Sequence, residues 1–153
     1  MNCLVFRTAI TAPRPYFVGT TMKLFSSKIE VGTIHEIKEG ARKLIETNSG
    51  IVIVTKQKGS FYAVNAKCPH LGVSMKNAKI GIEDDGIPII TCTIHNSKFS
   101  LEDGSCKGWC QGLLGIPGTG FIGAVASNVG NKENTPAIVY KVSIDGDKLY
   151  IDV

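Results

Sequence analysis

Two short clusters, each with one cysteine and one histidine, constrain this chain more than any other feature of its sequence. Cys68 and His70 stand two positions apart, and Cys92 and His95 stand three apart. Each cluster directly follows a short strand-like run. Two thiolates and two imidazoles in that ratio suit either a tetrahedral zinc ion or a [2Fe–2S] cluster. Because two of the chain's three histidines lie this close to a cysteine, chance is a poor explanation.

The rest of the sequence predicts short strands separated by turns, without a long amphipathic helix. This pattern is typical of an all-β fold of antiparallel sheets, arranged as a sandwich or barrel. The strands predicted from apolar and β-branched runs are Val31 to Ile37, Arg42 to Glu46, Ile51 to Thr55, Ser60 to Asn65, Ile87 to Thr91, Ile138 to Ile144 and Lys148 to Val153.

Charge and length narrow the function classes. A chain of 153 residues is enough for one domain with its own core. The formal charge of +4 comes from Arg7, Arg14, Lys23 and Lys28, because without these four the 17 basic residues fall to the number of acidic ones, 13. From Ile29 onward the chain is formally neutral, which argues against nucleic-acid binding. No apolar run predicts a transmembrane span.

The first 28 residues have the composition of an organelle presequence. They contain Arg, Ser, Thr and Ala but no Asp or Glu. Because hydroxyl residues outnumber arginines, we predict a plastid address in preference to a mitochondrial one. The alternative is a disordered N-terminal tail. In either case the folded domain is expected to cover residues 29–153.

The paired motif Cys68-x-His70 and Cys92-x-x-His95 resembles the ligand motif of the Rieske-type ferredoxins. The flanking residues extend the resemblance, with Leu71-Gly72 after the first histidine and Phe99 and Asp103-Gly104 after the second. The resemblance implies a Rieske-like fold, in which a base of residues 29–66 and 111–153 carries a cluster-binding subdomain of residues 67–110.

The resemblance also implies one [2Fe–2S] cluster per chain, with Cys68 and Cys92 on the inner iron and His70 and His95 on the outer iron. The outer ring nitrogens of the histidines would face solvent and a docking partner. The implied function is a carrier of single electrons from a reductase to an oxygenase or another redox acceptor. The alternatives are an electron-transfer subunit of an oxygenase or reductase complex, or a structural Cys₂His₂ zinc module.

The sequence departs from the family pattern at two points, and the second of these indicates which branch of the family it resembles. The stretch between His70 and Cys92 is longer than usual, and we predict an extended hairpin with Glu83 to Gly86 at its tip. Val73 and Ile94 stand where the cytochrome-complex branch has an extra disulfide, so the ferredoxin-like branch is the better match. A complete oxygenase is excluded, because its mononuclear iron needs two more histidines and only His35 is left.

Several other residues could carry chemistry. Cys106 and Cys110 could form a disulfide or a thiol switch, or could be buried thiols. Trp109 between them is expected to pack under the second ligand loop. The run from Gly118 to Gly123 spells a dinucleotide fingerprint, but it lacks the strand and helix that such a site needs. We predict a long loop over the base of the fold for residues 108–131.

The predicted targeting function of residues 1–28 can be tested separately from the folded domain. A fluorescent protein fused after residues 1–28 is expected to accumulate in a plastid or mitochondrion, because the segment is basic, hydroxyl-rich and free of acidic residues. Fluorescence microscopy checks this, and a fusion with Arg7 and Arg14 replaced by Glu is the control. Diffuse cytosolic fluorescence of the first fusion would contradict the prediction.

Overall fold

The computed structural model describes residues 27–113, 116–117 and 134–153. All but the last two residues of the predicted presequence lie outside the described residues. So do the run from Gly118 to Gly123 and much of the predicted loop 108–131. Within the described ranges no helix is long and apolar enough to cross a membrane.

Every regular element in the described residues is a β-strand, so the prediction of an all-β fold is confirmed. The strands are β1 Lys28–Thr33, β2 Arg42–Thr47, β3 Gly50–Gln57, β4 Ser60–Asn65, β5 Lys79–Ile82, β6 Pro88–Thr91, β7 Lys98–Ser100, β8 Cys106–Gly108, β9 Gly112–Leu113, β10 Ile116–Pro117, β11 Val139–Asp145 and β12 Lys148–Asp152.

The strands form two main antiparallel sheets. One has six strands in the order β1-β12-β11-β4-β3-β2, and the other has four in the order β5-β6-β7-β8, while β9 pairs with β10 alone. The extended hairpin predicted between the ligand loops is β5–β6, with Glu83 to Ile87 as its turn. The second ligand loop joins β6 to β7 inside the four-stranded sheet.

The first strand differs from its prediction. It begins at Lys28 and ends at Thr33, whereas the apolar pattern predicted a strand to Ile37. The Glu36 carboxylate accepts hydrogen bonds from the backbone N–H of Thr33 at 3.0 Å and from its hydroxyl at 3.2 Å, and it binds Lys43. The two bonds from Thr33 close a turn, and the Lys43 ammonium together with these bonds holds the pKa of Glu36 at about 2. The strand therefore stops before Ile37, which is buried beyond the turn.

Strand β3 joins the two hydrophobic cores because its side chains alternate between the faces of the sheet. Val52 and Val54 pack with Leu149 and Ile151 in the base of the six-stranded sheet. On the opposite face, Ile53 belongs to a second core formed with the four-stranded sheet and the ligand loops, whose other large members are Val64, Met75, Ile90, Phe99 and Leu101. The second core places the ligand loops against the larger sheet.

Gly104 joins the four-stranded sheet to the segment that leads into β11. Its backbone has a φ of +75°, its carbonyl accepts a hydrogen bond from Ala137 N–H at 2.8 Å, and a Cβ at this position would overlap the Ala137 carbonyl oxygen. Both the backbone conformation and the close contact therefore require glycine.

We expect Gly104→Ala to lower the free energy of unfolding by about 1–2 kcal/mol for the left-handed backbone and by about 1–3 kcal/mol more for the steric overlap. Gly59→Ala is the matched control, because Gly59 has a φ of +76° and open space around its Cβ position. Denaturant unfolding of both variants measures the difference. Equal losses would contradict the structural role of the Gly104–Ala137 contact.

Candidate metal centre

The two ligand loops share one backbone hydrogen-bond pattern. In the first loop, Cys68 N–H donates to the carbonyl of Val73, and Gly72 N–H donates to the carbonyl of Cys68, both at 2.8 Å. In the second, Cys92 N–H donates to Ser97 O at 2.9 Å, and Asn96 N–H donates to Cys92 O at 3.0 Å. Each cysteine therefore begins a loop that is closed by the same two backbone hydrogen bonds.

The residue four positions after each cysteine has a positive φ, +68° at Gly72 and +55° at Asn96. Glycine and asparagine tolerate this left-handed conformation better than other residues. The equivalence of the loops is not apparent from the cysteine–histidine spacing, which differs between them. The asparagine at position 96 was the one signal in the sequence that could have revealed it.

The two cysteine side chains lie together at the base of these loops and are buried. Cys68 receives hydrogen bonds from the backbone N–H groups of His70 and Leu71, and Cys92 receives them from Ile94 and His95. The two thiols also hydrogen-bond to each other. This bond raises the pKa of Cys68, which burial raises further, and lowers the pKa of Cys92. The backbone N–H groups that donate to both sulfurs stabilise the negative charge that the thiolates carry when they bind a metal.

The two histidine side chains form a second pair. Their ring centroids are 4.9 Å apart and the ring planes are nearly perpendicular, at 77°. His70 is 1% exposed and His95 is 7% exposed. Burial and the neighbouring His70 lower the pKa of His95, so the neutral imidazole that binds metals is favoured.

Three ring nitrogens of this pair are buried without a hydrogen-bond partner among the described residues: Nδ1 and Nε2 of His70 and Nδ1 of His95. A buried polar atom without a partner costs about 1–3 kcal/mol. Metal coordination at one nitrogen of each ring removes part of this cost. A donor set of two buried thiols and two buried imidazoles therefore fits a [2Fe–2S] cluster.

The exposure expected of the histidines is not found at His70. Both of its ring nitrogens are buried, whereas the family resemblance implied that the outer nitrogen faces solvent. The reason lies partly in Trp109, whose indole packs against the His70 ring with centroids 5.1 Å apart. Trp109 also contacts Phe99 edge-on at 6.5 Å. We expected Trp109 under the second ligand loop. It contacts Phe99 in the strand that follows that loop, and it also contacts His70 of the first ligand loop.

A third segment is fixed to the second ligand loop by two hydrogen bonds. Cys110 N–H donates to the hydroxyl of the fully buried Ser97 at 3.0 Å, and Gly112 N–H donates to His95 O at 3.2 Å. Cys110 is buried, which agrees with the prediction of a buried thiol. Burial, and to a smaller extent the neighbouring Cys92, raises the pKa of Cys110. Cys106 is half-buried in β8, opposite Phe99. The sequence did not reveal the Ser97–Cys110 bond.

The remaining candidates lie away from this centre. His35 is exposed and stands 3.9 Å from Asp147, in the turn after β1. Within the described ranges, no three His, Cys, Asp or Glu side chains are placed where they could bind one metal ion together. The four predicted ligands are brought together as a thiol pair and an imidazole pair.

The chain is similar in sequence to ferredoxin subunits of bacterial dioxygenases. The chain is 26% identical over 127 residues to the 3-phenylpropionate/cinnamic acid dioxygenase ferredoxin subunit of Escherichia coli (strain K12), and the match covers 83% of this chain and 94% of the relative. The corresponding subunit of Shigella boydii is similar to the same extent.

Solved structures show the same fold. The ferredoxin of carbazole 1,9a-dioxygenase from Nocardioides aromaticivorans IC177 superposes with a TM-score of 0.57 at 17% identity, covering 83% of this chain and 98% of that one. The family model of the Rieske [2Fe-2S] domain matches residues 27–112, which include both ligand loops and the strands that carry them. This chain therefore belongs to the Rieske [2Fe-2S] domain family.

Proposed function

We propose that this chain is a Rieske-type electron carrier in which Cys68 and Cys92 hold one iron of the cluster and His70 and His95 hold the other. The family membership means that the chain carries one [2Fe–2S] cluster. The observation that supports this ligand assignment best is the sorting of four buried side chains into a thiol pair and an imidazole pair. When bound, the cluster takes up and releases one electron at a time.

The residues around the site influence the reduction potential of the cluster. Backbone N–H groups at both cysteines stabilise negative charge on the sulfurs. Two neutral imidazoles in place of two thiolates leave the site less negative, which raises the potential from about −400 mV to roughly the −150 to +300 mV range. Phe99 offers no hydroxyl to the sulfurs, so we expect a potential in the lower half of that range.

The partners are also a proposal. The matched relatives are named as ferredoxin subunits of dioxygenases. One similar structure is a reduced complex between oxygenase and ferredoxin, with a TM-score of 0.58 at 20% identity, and the match covers 83% of this chain but only 28% of the matched chain. By analogy, we propose that this chain receives electrons from a reductase and passes them to an oxygenase or another redox protein. Its role as the electron-transfer subunit of such a complex is the second candidate.

Two further assignments rest on the sequence and topology. We propose a base of residues 29–66 and 111–153 and a cluster-binding subdomain of residues 67–110, supported by the four-stranded sheet lying within that inner range. We also propose that residues 1–28 direct the protein to a plastid, in preference to a mitochondrion. The composition of that segment supports the targeting proposal, whereas the relatives, which are bacterial, give it no support.

Metal analysis tests the ligand assignment. We expect the purified protein to be red-brown and to contain two irons and two acid-labile sulfides per chain. Cys68→Ser is expected to lose most of the iron, because the inner iron then lacks a thiolate. Cys106→Ser, in β8, is the matched control and is expected to retain it. One zinc per chain without sulfide would contradict the proposal in favour of the structural zinc module.

The histidine ligands are tested by the midpoint potential. We expect His70→Cys to shift the potential toward the roughly −400 mV of all-cysteine clusters, because a third thiolate ligand adds negative charge and makes electron uptake less favourable. His95→Cys is expected to act in the same direction. His35→Gln, at the exposed histidine, is the control and leaves the potential unchanged. Spectroscopic redox titration measures all three, and an unchanged potential in both ligand variants would contradict the assignment.

A further inference from the structure

The surface around the first ligand loop is positively charged. From Ala66 to Ile82 the chain has three lysines and no acidic residue. Lys67, Lys76 and Lys79 are all exposed, and so is Leu71, next to His70. We call these four residues the ligand-loop face. The Arg42 guanidinium adds to its charge, because it donates a hydrogen bond to the carbonyl of Lys76 at 2.8 Å.

The acidic residues of the four-stranded sheet lie at its other end. Lys79 begins β5 opposite Thr91, which directly precedes Cys92, so both belong to the end that carries the ligand loops. The acidic turn that begins at Glu83 lies at the far end of the same hairpin, about 13 Å away for strands of this length. The Glu83 carboxylate reaches back to Lys98, which begins β7 directly after the second ligand loop, and the two form an ion pair at 2.7 Å, so together they add no net charge to the ligand-loop face. Glu102 and Asp103 occupy the far turn between β7 and β8.

Two clefts with apolar walls flank the first ligand loop. One, of about 300 Å³, is lined by Ile51, Ala66, Lys67, Gly72, Ser74 and Lys76. The other, of about 340 Å³, shares Lys67 and Gly72 with it and extends past Pro69 to Ile138, which is 61% exposed. Glu46 pairs with Ile51 in the sheet but lines a different cleft, with Ser27 and Val153. The face thus combines apolar contact area with a cationic rim.

We infer that the ligand-loop face docks an acidic redox protein, whose carboxylates meet Lys67, Lys76 and Lys79 while apolar side chains contact Leu71 and Ile138. This inference rests on the proposed carrier function and names the chemistry of the partner. The chain from Ile29 onward is formally neutral, so its charges are separated rather than in excess. Such a separation orients an approaching acidic protein toward the ligand loops and raises the rate of productive encounter.

Electron exchange with two probe proteins of opposite charge tests the inference. The full chain, shown by electron paramagnetic resonance to hold a reducible cluster, is reduced and mixed with oxidised plastocyanin, which is acidic, or oxidised cytochrome c, which is basic. The chain loses one electron, and the copper or haem iron gains it. We expect the plastocyanin rate to fall several-fold as salt screens the attraction, and the cytochrome c rate not to fall.

Two double variants test whether the electrostatic effect on the plastocyanin rate comes from the ligand-loop face. Lys67→Gln with Lys76→Gln is expected to lower the low-salt plastocyanin rate several-fold. Lys38→Gln with Lys141→Gln removes the same net charge from exposed positions at the far end of β3 and on β11, and is expected to leave the rate unchanged. Equal loss in both double variants, or a plastocyanin rate insensitive to salt, would overturn the inference while leaving the carrier function intact.

Two other outcomes overturn the inference in different ways. If the chain binds vesicles of phosphatidylglycerol, and only the Lys67/Lys76 variant loses that binding while its plastocyanin rate is unchanged, the face belongs to a lipid surface. A chain that holds no reducible cluster and gives no electron to either probe overturns the proposed function together with this inference.

Discussion

The backbone hydrogen bonds that close the two ligand loops are the constraint on which the site depends. Each joins a cysteine N–H to the carbonyl five residues later, Val73 or Ser97, and so aims the next N–H groups at the sulfur. The sheets hold the loops in place: the second loop joins β6 to β7, and the first follows β4 directly. Because β3 and β4 bury side chains on both faces, the base and the ligand loops share one rigid support.

The site holds buried polar groups that lack a hydrogen-bond partner in the part of the chain that the structure describes. Three imidazole nitrogens lack partners among the described residues, and two thiols share one hydrogen bond. Burying such groups costs free energy, so the folded chain without its cluster has stability to gain from binding it. We therefore expect cluster binding and folding to be coupled, as they are in other proteins whose ligands are buried.

Much of the site could be predicted from the sequence, because its ligands are rare residue types at short spacings. The four proposed ligands, the hairpin between their loops and most strands of the larger sheet were predicted. β7 and β8 were not, since three-residue strands carry no readable alternation. The contact of Trp109 with His70 also escaped, because it joins residues 39 positions apart whose proximity depends on the fold. The turn after Thr33 depends on one carboxylate, Glu36, which hydrophobic periodicity does not register.

In the proposed centre, two histidine nitrogens bind one iron of the cluster while two cysteine sulfurs bind the other. Pulsed electron paramagnetic resonance of the reduced protein tests this ligand arrangement most directly, because a nitrogen bound to a paramagnetic iron couples to the electron spin. We predict couplings from two inequivalent nitrogens, with one removed in His70→Cys and the other in His95→Cys. A reduced cluster without strong nitrogen coupling, or a protein without a paramagnetic centre after reduction, would contradict the account.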